Sequence, residues 1–264
     1  MMRAHGIDFS KYALDWIMPV EANIDFAIQR TSWGLHKDEK YENHSKRMNQ
    51  VECRMAYHYY SSAVPWFAQY ELFIDLVNNN PHTTYHGVWV DFEEGYNELT
   101  RRTAYEFAEF IRYLRKGFDG KVGGYCNRDT YTTKLAYYLS NDWLSDVPLW
   151  LAVPIEPIIY ISKSDVLEGT REPPWGYWVG GLYRKLSRPK GLWDLWQYSW
   201  RGDPAELGII GKKAVDVNVF NGTVDDLKAW LKIDGTPQPP PPELECKDKE
   251  ILSDLQMIIK KYNG

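Results

Sequence analysis

Residues 87–94 read GVWVDFEE, and this stretch decides which fold and which chemistry the chain can support. The apolar run GVWV has the length and composition of a buried β-strand. Alternate residues of a strand share a face, so Asp91 and Glu93 point to one side while Phe92 and Glu94 point to the other. The stretch therefore predicts a buried strand that ends in two neighbouring carboxyl groups.

Two carboxyl groups on one face repel each other when both are ionised. In a partly dry site one of them keeps its proton near neutral pH. Such a pair can supply a general acid and an ionised stabiliser, which cleavage of a glycosidic bond requires. A lone D-x-E pattern is more often a solvated strand end, so this interpretation depends on the rest of the chain.

Seven other short apolar runs are typical of strands, and helix-like segments lie between several of them. The other strand candidates are 4–9, 24–30, 53–60, 121–126, 147–153, 192–199 and 214–220. The helix candidates are 68–77, 100–115 with Thr100 as its N-cap, 130–139, and a segment that begins with a capping box at Thr223. This alternation favours an α/β fold, with a barrel preferred over an open doubly wound sheet.

In an α/β barrel the carboxyl ends of the strands converge on one mouth, where catalysis takes place. Asp8 closes the first run, and Asp91 and Glu93 close the fourth. Asp216 and Asn218 lie in the last run. We therefore expect four carboxyl groups from three strands to gather at one mouth.

Short motifs along the main part of the chain occur in the order of one known family. They are GIDFS at 6–10, IDFAIQRTSWG at 24–34, AYHY at 56–59, DFE at 91–93, GGY at 123–125, LWLA at 149–152, LWQY at 195–198 and VDVNVFNG at 215–222. Together they resemble glycoside hydrolase family 25, the lysozymes of fungi and of bacteriophage endolysins. The resemblance covers about residues 4–232.

The resemblance implies a flattened, irregular TIM-like barrel with eight strands and fewer than eight helices. It also implies hydrolysis of the β-1,4 bond between N-acetylmuramic acid and N-acetylglucosamine in bacterial peptidoglycan. Glu93 then matches the proton donor, and Asp91, Asp8 and Asp216 match the other acids. Asp91 acts either as the nucleophile or by orienting the substrate's own N-acetyl group for attack. We favour the second role, because adjacent acids on one strand cannot easily straddle both faces of the sugar.

Aromatic side chains suit walls that stack on sugar rings, and the chain has 12 Trp and 19 Tyr. Tyr125 is the strongest candidate, because its place after the glycine pair matches a tyrosine of the family that faces substrate. The other candidates for the substrate-binding wall are Tyr59, Trp150, Trp196, Tyr198 and Asn218. For Trp196 a place in the barrel core is at least as plausible. His58, between two tyrosines in a strand, is expected to be a structural histidine.

One domain boundary stands out in the sequence. Residues 235–243 read GTPQPPPPE, a stiff and extended proline run typical of a spacer. We therefore predict a catalytic barrel over 1–234 and a short C-terminal helix over 244–264, where apolar residues recur at helical spacing. A lone helix of this length is marginal in water. It is expected to dock on the barrel, to self-associate, or to begin a truncated wall-binding part.

Composition limits the partners and the cellular location. The formal net charge is -5 without a basic stripe, so we expect no nucleic-acid partner. No window approaches the ~20 apolar residues of a membrane span, and no signal peptide is visible. We expect synthesis in the cytoplasm, as in a phage-infected host, and action on the wall after release. Cys53 and Cys126 are interpreted as reduced core thiols, and no metal or cofactor is expected.

Two alternative functions fit the sequence, and two segments differ from the family pattern. A non-catalytic barrel that binds cell-wall carbohydrate would share the fold, and a chitinase-like glycosidase would share the acid chemistry. The span 153–192 is longer than the usual family connection, and its Pro-Pro-Trp and Gly-Gly points indicate loops and a hairpin. The segment 11–16 lacks the glutamine and glycine common after the opening motif.

Overall fold

The computed structural model describes residues 2–12, 23–93, 99–155, 162–174, 176–179, 182–185, 193–209 and 214–233. The proline-rich linker at 235–243 and the C-terminal helical segment at 244–264 lie outside the described residues, so these two predictions stay untested. Within the described part, no helix is both long and apolar enough to cross a membrane.

Eight strands close into a barrel, as the sequence predicts. The described residues form eleven strands, which include those outside the barrel. In chain order they are β1 (His5–Phe9), β2 (Phe26–Trp33), β3 (His36–Lys37), β4 (Cys53–Tyr59), β5 (Gly87–Asp91), β6 (Lys121–Asn127), β7 (Leu149–Ala152), β8 (Gly176–Val179), β9 (Leu182–Lys185), β10 (Leu195–Gly202) and β11 (Val215–Phe220). The barrel order is β1-β11-β10-β7-β6-β5-β4-β2, and a β1–β2 pairing closes it. Only β11 runs antiparallel to its neighbours in the barrel.

Helices cover the outside of the barrel unevenly. They are α1 (Tyr41–Met48), α2 (Trp66–Asn78), α3 (Arg101–Gly117), α4 (Arg128–Thr130), a π-helical turn (Tyr131–Leu135), α5 (Ala136–Tyr138), α6 (Asn141–Asp146), α7 (Lys163–Leu167) and α8 (Val224–Leu231). Thr100 caps α3, and the hydroxyl of Thr223 accepts a hydrogen bond from the backbone N–H of Asp226 in the predicted capping box of α8. The sequence pattern does not predict α1, α6 or α7.

The barrel has two cores, one on each side of its wall. Alternate residues of β5 show this division, because Trp89 packs inside the barrel while Val88 and Val90 pack outside against the helices. Leu227 and Leu231 of α8 join the interior core. Helix α8 therefore closes the amino-terminal end of the parallel strands and leaves the other end as the mouth.

The glycine pair before Tyr125 lets bulky side chains enter both cores. A Cβ atom on Gly123 would lie 2.3 Å from the Trp89 ring inside the barrel. A Cβ atom on Gly124 would lie 2.6 Å from the Phe107 ring outside it. The strand must therefore carry glycine at both positions to pass between the two rings.

The long span after β7 holds the predicted hairpin. Strands β8 and β9 form a separate two-stranded antiparallel sheet, with Gly176 paired to Lys185 and Val179 paired to Leu182. Cys53 and Cys126 are buried thiols, which confirms their interpretation as core residues.

Candidate active site

The structure brings the four predicted acids together at the mouth of the barrel. Asp8, Asp91 and Asp216 lie on β1, β5 and β11, and Glu93 follows two residues after Asp91. The β1–β11 register places Asp8 directly beside Asp216. Burial raises the pKa of the Tyr125 hydroxyl well above its ordinary value, and all four carboxyl groups are near enough to raise it further. Tyr125 therefore lies close to all four acids.

Asp8 is the most firmly held of these acids. It is buried, and its Oδ2 accepts hydrogen bonds from Nε2 of Gln197 and from Nδ2 of Asn218, both at 2.8 Å. Burial raises the pKa of Asp8 to about 6, and the two donated hydrogen bonds oppose that rise. Asp8 is therefore poised to carry a negative charge at neutral pH.

Asp91, the last residue of β5, and Glu93, two residues beyond it, form the predicted pair of neighbouring acids. Burial raises the pKa of Asp91 well above its ordinary value, and the neighbouring Glu93 carboxylate raises it further, while Arg30 opposes the rise. Burial and then the Asp8 charge raise the pKa of Glu93 to about 7. Asp91 is almost fully buried whereas Glu93 is half-buried. The pair therefore shares protons near neutral pH, and Glu93 is the member open to solvent.

Asp216 completes the cluster from the antiparallel strand. Burial raises its pKa to about 8, and the charges of Asp8 and Glu93 add to the rise. Asp216 is half-buried, and no donor comparable to Gln197 or Asn218 is seen on it among the described residues. Its carboxyl group is therefore largely protonated at neutral pH.

A chain of hydrogen bonds beneath the acids fixes their orientation. The Tyr125 hydroxyl donates to Oε1 of Gln197 at 3.0 Å, and Gln197 donates onward to Asp8. From the other side, Nε1 of Trp150 donates to Oδ1 of Asn218 at 2.8 Å, and Asn218 also donates to Asp8. Every member of this chain is buried, so the network is a rigid support.

Arg30 and Asp38 belong to the site although sequence reasoning did not identify them. Arg30 points into the barrel from β2, and its Nε donates to Oδ2 of Asp38 at 2.8 Å. Asp38 is buried and also accepts the backbone N–H groups of Lys11 and Lys40. The signal available in the sequence was an arginine on the inward face of an otherwise apolar strand, where a charge needs a partner.

Tyr57 was missed for a different reason. It packs inside the barrel edge-on to Trp150, with ring centroids 5.7 Å apart, and its hydroxyl lies within electrostatic reach of Arg30 and Asp91. Tyr57 and Tyr59 are two residues apart on β4 and share one face of the strand, but only Tyr59 was predicted to bind substrate. Tyr59 itself is half-buried and lies beside Asp91 in the β4–β5 register.

The predicted sugar wall requires correction. Trp196 and Tyr198 are 0% and 1% exposed, and they pack in the outer core, where Nε1 of Trp196 donates to the carbonyl of Val153. The prediction that these two residues line the wall is therefore wrong, because Gln197 between them is the residue that faces inward. Trp150 and Asn218 do lie at the site, but both are buried and support Asp8 from below.

His58 is a structural histidine, as expected. It is fully buried between a Ser32 hydroxyl at 2.8 Å from Nδ1 and the Gln69 Oε1 at 3.0 Å from Nε2. Burial lowers its pKa to about 4, so the ring is neutral. Within the described ranges, no group of three or more His, Cys, Asp or Glu side chains has an arrangement suited to a metal ion.

Comparison with known proteins shows which family the sequence matches. Residues 7–206 match the sequence profile of the family described as Glycosyl hydrolases family 25. The chain is also 26% identical to YegX, an uncharacterized protein of Escherichia coli strain K12, over 89% of this chain and 75% of YegX.

Solved structures share the barrel. A family 25 glycosyl hydrolase from Bacillus anthracis matches with a TM-score of 0.61 at 19% identity, over 87% of this chain and 94% of that one. A bacterial lysozyme from Streptomyces coelicolor matches with a TM-score of 0.60 at 18% identity, over 88% and 99%. The catalytic domain of endolysin ply40, from bacteriophage P40 of Listeria monocytogenes, matches with a TM-score of 0.59 at 18% identity, over 86% and 98%. At these identities the likeness shows the fold.

Proposed function

Because the chain belongs to glycosyl hydrolase family 25, we propose that it hydrolyses the β-1,4 bond between N-acetylmuramic acid and N-acetylglucosamine in bacterial peptidoglycan. The observation that carries this proposal is the cluster of Asp8, Asp91, Glu93 and Asp216 at one barrel mouth. The lysozyme and endolysin named among the structures with this fold support peptidoglycan as the substrate class.

Glu93 is the proton donor in this proposal. Its pKa of about 7 leaves about half of the Glu93 carboxyl groups protonated at pH 7, where an ordinary glutamate would be almost wholly ionised. It is also the more exposed member of the pair with Asp91, so it can reach a glycosidic oxygen. The proton moves from Glu93 to the leaving oxygen as the bond to the anomeric carbon breaks.

Asp91 acts in its ionised form in this proposal: burial raises its pKa most, but a proton on Glu93 removes the neighbouring negative charge that raises it further. The Arg30 cation acts on Asp91 and favours its ionised form. The Oδ1 atom of Asp91 is buried and accepts no hydrogen bond from the described residues, so it lacks a donor. The N–H of a substrate acetamide would satisfy this atom and turn the acetamide oxygen toward the anomeric carbon.

The route through the substrate acetamide follows from strand geometry. Asp91 ends β5 and Glu93 lies two residues further along the chain, so their Cα atoms are at most about 7 Å apart and their carboxyl groups approach the sugar from the same side. A nucleophile and an acid that act directly need to flank the scissile bond, and substrate assistance removes that need. The acetamide oxygen attacks, the leaving oxygen takes the Glu93 proton, and water then opens the cyclic intermediate while Glu93 recovers a proton.

Two measurements test the proposal. Purified cell walls incubated with the protein should lose turbidity and gain reducing ends, whereas a wall-binding barrel without chemistry would release none. For the role of Asp91, a substrate whose acetamide is replaced by a hydroxyl should be cleaved at least about a hundredfold more slowly. An unchanged rate on that substrate would rule out assistance by the acetamide.

A further inference from the structure

The hairpin that follows β2 presents an exposed tryptophan at the rim of the barrel mouth. Trp33 is the last residue of β2, and it pairs with His36 across a two-residue turn of Gly34 and Leu35. Gly34 has a φ of +49°, which a glycine adopts readily at the first turn position. Trp33 is 38% exposed, whereas the aromatic residues deeper in the site are buried.

An irregularity in β2 turns Trp33 toward the mouth. In the β2–β4 register Arg30 pairs with Tyr57 and Ser32 pairs with His58, so Thr31 is an extra residue. Such a bulge shifts the alternation of the strand by one position. Ser32 consequently points outward, where it forms a hydrogen bond with His58, and Trp33 points inward. Without the extra residue Ser32 would be the one to point inward.

The register then places Trp33 in one row with the site. Trp33 pairs with Tyr59, Tyr59 pairs with Asp91, and Asp91 pairs with Tyr125 along adjacent strands. Neighbouring strands lie about 4.8 Å apart, so Trp33 stands about 10 Å from Asp91 along the rim. That distance puts Trp33 beyond the bond-cleaving acids, in line with them.

The hairpin holds the indole firmly. The imidazole of His36 packs against it with ring centroids 4.5 Å apart and planes inclined by 30°. The N–H of Gly34 donates to the carbonyl of Tyr59 at 3.1 Å and ties the turn to β4. A flat, preorganised and partly exposed ring is suited to stack on the apolar face of a sugar at little entropic cost.

We propose that Trp33, held by His36, is a sugar-stacking platform that binds a ring of the glycan strand outside the pair of sugars being cleaved. This inference rests on the proposed function for its substrate class. A platform at Trp33 makes the affinity for glycan depend on the length of the glycan chain, because a two-sugar ligand bound at the acids would not extend to Trp33.

Binding to a cleavage-blocked protein tests the platform. Glu93→Gln protein is titrated calorimetrically with peptide-free glycan chains of alternating N-acetylglucosamine and N-acetylmuramic acid, of two, four, six and eight sugars. Adding Trp33→Ala should weaken binding of the six- and eight-sugar chains about tenfold and that of the disaccharide less than about twofold. Trp33→Phe should recover most of the loss, because it keeps an aromatic face.

Tyr137→Ala is the matched control. Tyr137 is 73% exposed on α5, outside the row of strand residues that joins Trp33 to Asp91, so its loss should change binding of no chain. Equal affinity of the Trp33→Ala protein and its parent for the eight-sugar chain would overturn the platform, as would an equal loss for the disaccharide. Absence of binding by the parent would overturn it too. Length-dependent binding by a wild-type protein that cleaves no wall would overturn only the proposed reaction.

Discussion

Gln197 donates a hydrogen bond from Nε2 to Oδ2 of Asp8 at 2.8 Å, and this contact helps to set the ionisation of the site. Asp8 is more deeply buried than Asp216, yet its pKa rises only to about 6 while that of Asp216 rises to about 8. Hydrogen bonds from Gln197 and Asn218 favour the charged form of Asp8, whereas the charges of Asp8 and Glu93 add to the rise at Asp216. The site therefore holds carboxyl groups of one chemical type in different protonation states.

Gln197→Met should raise the pKa of Asp8, because it removes one of the two donors. If ionised Asp8 is needed for catalysis, the acidic limb of the pH profile of kcat/KM should move to higher pH. The Tyr125 hydroxyl also loses its acceptor, so the free energy of unfolding should fall by about 1–3 kcal/mol.

The matched control is Gln29→Met, a buried glutamine outside the site whose Nε2 donates to the carbonyl of Tyr41. It should lower the free energy of unfolding without moving the pH profile. An acidic limb that stays in place in the Gln197 variant would show that this residue does not control the charge of Asp8.

Arg30→Met should shift the balance between Asp91 and Glu93. The cation favours ionised Asp91, so its removal should raise the pKa of Asp91 and move the acidic limb of kcat/KM to higher pH. The buried Asp38 also loses its partner, which costs about 3–5 kcal/mol of stability.

Arg30→Lys keeps the charge and serves as the comparison that folds more readily. It should lower the free energy of unfolding by less and leave the acidic limb within about 0.3 pH units of wild type, a shift worth about 0.4 kcal/mol. A pH profile that moves equally in both variants would mean that packing at Arg30, rather than its charge, acts on Asp91.

Asp216→Asn should stabilise the fold at alkaline pH while lowering activity. The pKa of Asp216 is raised in the folded state to about 8, so the native carboxyl group holds a proton that the unfolded chain has lost. Its contribution to stability is therefore present below pH 4 and is lost as pH rises towards 8. The amide avoids this loss, so urea unfolding should show a gain of roughly 1–3 kcal/mol at pH 8 and less at pH 5. A loss of stability at pH 8 would contradict the raised pKa.

The sequence was sufficient to predict the strands and the grouping of the four acids, because both depend on the local alternation of residues along a strand. Asp91 and Glu93 share a face by parity alone, and the carboxyl ends of barrel strands bring Asp8 and Asp216 to them. The same rule failed for Trp196 and Tyr198. Parity shows that these two residues share a face, but only the closed barrel shows that Gln197 takes the inner one.

Other features of the site depend on irregularities or on distant contacts. The extra residue Thr31 changes the phase of β2, so parity counted from Arg30 assigns Trp33 to the wrong side. The pairing of Arg30 with Asp38 requires the chain to turn back through the β3 hairpin. Neither feature leaves a periodic signal in the sequence.

Glu93 is the general acid of the proposed reaction, and its pKa predicts the alkaline limb of activity. The carboxyl group loses its proton around pH 7, so kcat/KM should fall above that pH as the donor form disappears. Glu93→Gln cannot donate a proton and should lower kcat by about 10²- to 10⁴-fold without unfolding the protein.

Mass spectrometry of the fragments released from defined peptidoglycan by wild type and by Glu93→Gln tests this claim most directly. We expect wild type to release fragments with N-acetylmuramic acid at the reducing end, and the variant to release almost none. Release by the variant at close to the wild-type rate would contradict the role of Glu93. Fragments from wild type with N-acetylglucosamine at the reducing end would contradict the proposed bond.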